Sequence, residues 1–337
     1  MNFFITGATG FIGRRVAAQL LSGGHRVVCL VLADDPASIV HELSRQGASC
    51  VVGDVTEDLD SLVGKMMGVE VVIHLAGIYD FCPRDPALME RVNVTGAINV
   101  GTAAAFVRAR MVHFGSVTAY GFQRRPFDES AEFGKPRSLY ADTKQRALLA
   151  LRRIEGLQLT ELHPCAVVGL GDIHASGGFI NSMIHPIWWK RLPGWIFGLR
   201  YMSWAVLDDV VDCTIAAAVL PEMVHRRFII GGDPNVIQFR VLIQLIQEVF
   251  GTRWPLRINV GWWFILPTAY LLHLVHLMSG RKWIPPLGWN PDQAKTMSAG
   301  IQAMGTKAEQ DLLGRPYQPL RVVLTQIRDE MRRSQDV

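Results

Sequence analysis

Through the first half of this chain, short apolar runs recur at a steady spacing, each closed by a polar or glycine-rich turn and followed by a stretch with helical periodicity. Phe3-Phe4-Ile5 is the first run, and residues 27–32, 48–53, 69–75 and 111–115 repeat it, so each predicts a strand. Helical periodicity opens at Arg14, fills 86–108 and returns over 139–154. The runs are continuous instead of alternating, which is the signature of strands buried on both faces. An α/β fold with a doubly wound parallel sheet is expected, and in such sheets ligands sit at the carboxyl ends of the strands.

Composition sharpens this. At 337 residues, 49% hydrophobic and 19% charged, the chain can bury a large core, as one large domain or two intimately joined ones. Its net charge of +4 is small, and no Lys/Arg run is interleaved with aromatics, so nucleic acid is not an expected partner. No charged region precedes the first apolar run, which argues against secretion and for the cytoplasm. The five cysteines are scattered and odd in number, without a Cys-x-x-Cys, and are expected to be reduced core residues that hold no zinc.

The strand ends carry the chemistry. After the first, Gly7, Gly10 and Gly13 recur at a spacing of three: Gly7 permits a tight turn, Gly10 lets the backbone approach a pyrophosphate, and Gly13 lets the helix pack close. After the third, Asp54 is read either as an acceptor for an adenine amino group or as a helix cap. After the fourth comes His74-Leu75-Ala76-Gly77, whose small residues let the backbone pass close to a cofactor, with His74 itself a core residue. Asn93 and Gly96 fall inside a helical stretch that neither favours, which points to a local tertiary purpose for Asn93. After the fifth comes Ser116, able to orient a reacting oxygen by a hydrogen bond. Tyr140 and Lys144, four apart on one helix, share a face. A lysine ammonium there is expected to pull the tyrosine pKa down towards the working pH and make the phenol a general acid/base, while also holding ribose hydroxyls.

Together these motifs resemble the extended short-chain dehydrogenase/reductase family, of the NAD-dependent epimerase/dehydratase type: Thr6-Gly7-Ala8-Thr9-Gly10-Phe11-Ile12-Gly13, Asp54, His74-Leu75-Ala76-Gly77, Asn93-Val94-Thr95-Gly96, Ser116 to Gly121, and Tyr140-x-x-x-Lys144. His163 to Gly169 resembles the family's sixth-strand signature, Trp204 to Val210 its Val-x-Asp-Asp-Val element, and Gly305 to Pro316 its C-terminal segment. The resemblance implies a Rossmann-like domain over 1–168 plus about 204–232, and a smaller discontinuous substrate domain over about 169–203 plus 233–337. It implies Tyr140 as acid/base with Ser116 and Lys144 in support. It also implies a cofactor site of Gly7, Gly10, Phe11, Ile12, Gly13, Asp54, Val55, Leu75, Ala76, Gly77, Asn93, Tyr140, Lys144, Pro164 and Val167. A homodimer through the 86–108 and 139–154 helices is expected, with Val92, Val94, Ile98 and Val100 as its surplus apolar surface. The cofactor is NAD or NADP. Asp34 and Asp35 would repel a 2′-phosphate and Arg14 or Arg15 would attract one, and the reading leans to NAD.

Substrate class rests on fewer residues. Sugar epimerases and dehydratases of the family usually carry Asn where this chain has Ala166, and the block around Pro164 is nearer the dihydroflavonol reductase and hydroxysteroid dehydrogenase branches. Aromatic clusters at Ile187-Trp188-Trp189, 193–197 and Trp262-Trp263-Phe264 also suit an apolar, ring-bearing alcohol or ketone. Two alternatives stand beside that reading. One is a nucleotide-sugar epimerase or dehydratase with Arg191 and Arg200 as phosphate donors, and the other is a non-catalytic dinucleotide sensor, which would need none of Ser116, Tyr140 and Lys144. Residues 260–278 approach the length of a membrane span but are broken by Pro267, His273 and His276. A helix lining an apolar substrate pocket is preferred over peripheral membrane contact, and the two histidines are read as a polar edge that binds no metal.

Overall fold

The structure is a computed structural model that describes residues 1–124, 126–171, 200–252, 262–280 and 290–333. Its strands are β1 (Asn2–Thr6), β2 (Arg26–Val31), β3 (Ser49–Val52), β4 (Val71–His74), β5 (Arg110–Phe114), β6 (Gln158–Pro164), β7 (Ala166–Val168), β8 (Tyr201–Val206), β9 (Arg227–Ile230) and β10 (Val236–Gln238). Seven of them form one sheet in the order β3-β2-β1-β4-β5-β6-β9, with every pairing parallel. The order reverses between β1 and β4, so the loops leaving these neighbours part to opposite faces and open a crevice at their carboxyl ends.

Both sheet faces are covered, as the continuous apolar runs require. Phe3 and Ile5 point into a core closed by α1 (Gly13–Ser22), α2 (Ala37–Arg45) and the later helix that opens with Leu207. Phe4 points the other way, into a core closed by α3 (Leu59–Met66) and by the helices that carry Ala97–Phe106 and Leu139–Leu151. Burying a side chain of this size stabilises by roughly 1.5–3 kcal/mol, and no strand in the centre of the sheet leaves a face open. The expected 86–108 helix is three pieces end to end: α4 (Pro86–Glu90), a π-helical turn (Arg91–Gly96) and α5 (Ala97–Phe106). A Cβ on Gly96 would lie 2.6 Å from Val55 Cγ2, so glycine lets this widened turn press against the loop after β3. Val92, Val94 and Ile98 are half-buried and Val100 is buried, so they are not the surplus surface expected of them. Leu88, Phe106 and, on α6 (Leu139–Leu151), Leu149 are the exposed apolar residues here.

A second sheet, β10-β8-β7, has β8 antiparallel to β10 and parallel to β7. β7 and β8, part of the expected nucleotide-binding half, thus pair outside the main sheet. Helix α7 (Leu207–Val219) leads from β8 back to it. Trp204 and Val206 face a core of their own with α8 (Phe239–Phe250), whose Leu242, Ile243, Ile246 and Val249 recur at helical spacing, and with α9 (Trp262–Met278), α10 (Pro291–Ala299) and α11 (Leu320–Arg333). The C-terminal segment is pinned to α7 by the buried Asp209 carboxylate, which accepts Arg315 Nη1 at 2.7 Å and the Gln318 N–H at 2.8 Å. In α9, His276 is buried and stacks on the half-buried His273 at 5.6 Å, so of the pair expected to form a polar edge His276 faces inward. No helix among the described residues is long and apolar enough to cross a membrane. Ile187-Trp188-Trp189, 193–197 and Arg191 lie outside the described residues.

Candidate active site

β1 ends at Thr6, and the chain turns through Gly7 at φ +72 before α1 begins at Gly13. A Cβ on Gly7 would meet the Ala76 nitrogen at 2.7 Å, and one on Gly13 would meet the Gly7 oxygen at 2.0 Å. The first glycine lets the turn lie against the end of β4, and the second lets the helix start directly on the turn. The Gly10 N–H closes the turn onto the Gly7 oxygen at 3.1 Å. The helix start has no side-chain cap and no acid in its first turn. Among the described residues nothing accepts the N–H groups of Phe11, Ile12 and Gly13. Unspent donors at the positive end of a helix dipole suit an anion, so this cradle fits the diphosphate of a dinucleotide.

The neighbouring strand ends close the crevice. Asp54 Oδ1 accepts the Thr56 N–H at 2.8 Å, whereas the N-cap of α3 is Asp58, which accepts the Ser61 N–H at 2.9 Å. Helix capping, the alternative role for Asp54, therefore belongs to Asp58. Val55 is buried against Gly96. After β4, the Thr6 hydroxyl accepts the Ala76 N–H at 3.2 Å and pairs with His74 Nδ1 at 2.7 Å, which ties Leu75-Ala76-Gly77 to the glycine turn. His74 stacks on His113 at 5.2 Å, and burial holds His74 down at about 3, so it is a neutral core group. Asn93, in the π-helical turn, spends both ends of its amide on protein: Oδ1 accepts the Ile78 N–H at 2.7 Å, and Nδ2 donates to the Ile78 oxygen at 3.0 Å and to Thr143 Oγ1 at 3.1 Å. It fastens the loop after β4 to α6.

Helix α6 presents Tyr140 and Lys144 to this crevice. Ser138 caps it by accepting the Ala141 N–H at 3.1 Å, and Asp292 of α10 accepts the Leu139 N–H at 3.0 Å, so the second core helps to set its start. Tyr140 is buried, and burial pushes its phenol up to about 12, with a hydrogen bond from the Ser116 side pulling it back. Lys144 Nζ donates to the Phe114 oxygen at 3.0 Å, and burial draws its pKa down to about 8. The expected downward pull of Lys144 on Tyr140 is thus not what sets the phenol: burial raises it, the Ser116 hydrogen bond is what lowers it, and the ammonium is anchored at the end of β5. Its Nζ and Asn93 Oδ1 each lie 3.2 Å from where a Cβ on Gly77 would sit, so a side chain there would crowd both groups. Ser116 accepts the Thr118 N–H at 3.2 Å from the end of β5. Pro164 ends β6, paired with Ile230, two residues past the Leu162 that pairs with Phe114; Val167 lies in the second sheet, paired with Ala205.

Two residues not anticipated from sequence complete the site. The rings of Tyr79 and Phe81 pack on Tyr140, at 4.9 Å and 5.9 Å between centroids, and make an aromatic wall over the phenol. The loop after β4 has no periodicity to reveal them, and their only signal is two aromatics beside a strand end. No group of three or more potential metal ligands occurs among the described residues.

Comparison with known proteins is consistent with this geometry. Residues 3–231 match the NAD dependent epimerase/dehydratase family. A Stigmatella aurantiaca protein, 4-hydroxy-2-methyl-3-oxo-4-farnesyl-3,4-dihydroquinoline-1-oxide ketoreductase, is 29% identical over 260 residues, spanning 75% of this chain and 74% of that one. A Synechocystis protein provisionally named a dihydroflavonol 4-reductase is 30% identical over 340 positions, spanning 96% of this chain and 92% of that one. Among solved structures, the dTDP-glucose 4,6-dehydratase of Streptomyces venezuelae, with NAD and TYD bound, superposes with a TM-score of 0.75 at 18% identity, covering 100% of this chain and 98% of that one.

Proposed function

This chain belongs to the NAD dependent epimerase/dehydratase family, and from that premise we propose that it reduces a ketone, or oxidises the matching alcohol, on a hydrophobic, ring-bearing small molecule. The observation that carries the reading is the buried Tyr140 phenol, flanked by Ser116 and Lys144 at the end of β5 and roofed by Tyr79 and Phe81. A bound nicotinamide supplies or accepts the hydride. Tyr140, its proton retained by burial up to about 12, gives that proton to the carbonyl oxygen as the hydroxyl forms. Ser116 orients the same oxygen, and Lys144 brings positive charge to ribose hydroxyls and to the phenolate that proton transfer leaves.

The remaining residues hold the dinucleotide. Gly7, Gly10, Phe11, Ile12 and Gly13 take the diphosphate, Asp54 and Val55 the adenine, and Leu75, Ala76 and Gly77 the floor beneath the ribose. Asn93 positions that floor through Ile78, and Pro164 and Val167 flank the nicotinamide. NAD is favoured over NADP because Asp34 and Asp35 follow β2, with Asp35 accepting the Leu32 N–H at 2.8 Å, and carboxylates at this strand end would repel a 2′-phosphate.

An apolar substrate gains roughly 25 cal/mol per Å² buried and needs only Ser116 and Tyr140 as polar anchors, which suits an aromatic wall. The Stigmatella relative, by its name, acts on a ketone in a ring system bearing a farnesyl chain. The competing reading, a nucleotide-sugar epimerase or dehydratase, draws on the fold shared with the Streptomyces dehydratase. It needs donors for a sugar diphosphate, and this chain has Ala166 at the position the sugar enzymes usually fill with Asn, while Arg200 is exposed at the amino end of β8. The test is a thermal-shift and turnover panel with NADH. Multi-ring or long-chain ketones are expected to stabilise the protein and oxidise NADH, and UDP-sugars to do neither. Micromolar binding of a nucleotide sugar that Arg200→Ala abolishes would overturn the reading.

A further inference from the structure

Helix α9 has two unlike faces. Ile265, Ala269 and His276 are buried, repeating at helical spacing, and seat the helix against the second core and α10. On the far side Phe264, Tyr270, Leu271, Leu274, Val275 and Met278 are exposed, Leu271 by 61% and Met278 by 80%. At one residue per 100° these six positions cover roughly 140° of the helix surface. The whole of Trp262–Met278 carries no Asp, Glu, Lys or Arg. A surface helix ordinarily turns its charged face outward, and scattered exposed leucines need no account, but an unbroken apolar arc of this breadth does.

The sequence around the helix indicates what covers it. Between Glu248 and Asp292 there is no acidic residue, while Arg253, Arg257, Arg281 and Lys282 bracket the helix on both sides. The chain's net charge of +4 is therefore carried entirely by this interval, since the remainder balances. Five of the nine tryptophans also fall here: Trp254, Trp262, Trp263, Trp283 and Trp289. Tryptophan and flanking cations around a neutral apolar helix are the composition of a membrane interface, where indoles sit at headgroup level and Arg/Lys meet anionic lipid. A partner helix would use a narrower seam, whereas a broad arc suits a flat apolar medium. At 17 residues with Pro267 inside, the helix is too short to cross a bilayer.

We propose that α9 is the face by which this protein docks on an anionic phospholipid bilayer. Its apolar arc lies at the acyl boundary, and an interval with a net charge of +4 and no acidic residue favours anionic over neutral lipid. The inference does not depend on the reaction assigned above. It is tested by flotation of the full chain with vesicles of phosphatidylcholine alone or mixed with phosphatidylglycerol, beside the variant Leu271→Glu/Leu274→Glu. The wild type is expected to float with the mixed vesicles, less with phosphatidylcholine and less as salt rises. The double variant should lose roughly tenfold or more in partition, while keeping its circular dichroism and NADH binding. A wild type that stays at the bottom with both vesicle types overturns the proposal, as does a variant that floats equally well. If the wild type instead forms an oligomer that the double variant dissociates, without floating, the face belongs to a second copy of the chain.

Discussion

At the scale of single residues, the site sets two buried groups against each other. Burial raises Tyr140 from 10.0 to about 12 and lowers Lys144 from 10.5 to about 8. Between about 8 and 10.5 the unfolded chain holds the lysine proton that the folded chain has released, so this residue makes stability rise with pH across that window. Tyr140 acts oppositely: between 10.0 and about 12 the folded chain keeps a proton that the unfolded chain has lost, and stability falls. Lys144→Met removes a buried charge costing about 3 kcal/mol at neutral pH, but bares the Phe114 carbonyl, which returns about 1–3 kcal/mol. The variant is therefore expected to melt at or above the wild-type temperature at pH 7, to lose the rise in melting temperature above pH 8, and to lose turnover. A clear drop in melting temperature at pH 7 would mean that Lys144 is stabilising in its charged form.

Among the elements, the π-helical turn decides the site's geometry. Asn93 replaces the backbone pairing that Ile78 lacks and reaches Thr143 in α6. Asn93→Ala takes the partner from the half-buried Ile78 N–H and C=O and from the buried Thr143 hydroxyl, a loss of up to about 1–3 kcal/mol where water cannot replace it. Its melting temperature is expected to fall and KM to rise more than kcat falls, because the loop carrying Tyr79 and Phe81 loosens while the chemistry on α6 stays in place; unchanged values for both would remove the turn from the account. Much of this level was legible in the sequence. The run at 69–75 became β4 at Val71–His74, and the spacing of Tyr140 and Lys144 put both on one face of α6. The π turn was not, because a shifted helix register is set by tertiary contacts with Val55 and Ile78, although the misplaced Asn93 and Gly96 marked the spot. The departure of β7 was hidden for a similar reason: Ala166–Val168 is an apolar run like those of the main sheet, and only its pairing with β8 places it in a second sheet.

For the whole molecule, α6 lies beside the end-to-end run of α4 and α5, with Leu88, Phe106 and Leu149 exposed, and an enzyme of this architecture gains by covering them. A homodimer mass by light scattering at micromolar concentration is expected, with Leu149→Glu shifting it towards monomer; a monomeric wild type would contradict this. The central claim is that Tyr140 gives the proton while a nicotinamide gives the hydride to a hydrophobic ketone. Reduction of such a ketone with NADH deuterated at C4, followed by mass spectrometry, tests it most directly in the wild type and in Tyr140→Phe. The account predicts one deuterium at the new carbinol carbon, at a rate that falls roughly 10²–10⁴-fold in the variant while NADH affinity is kept. Equal transfer rates in the two proteins, or transfer seen only with a nucleotide sugar, would contradict it.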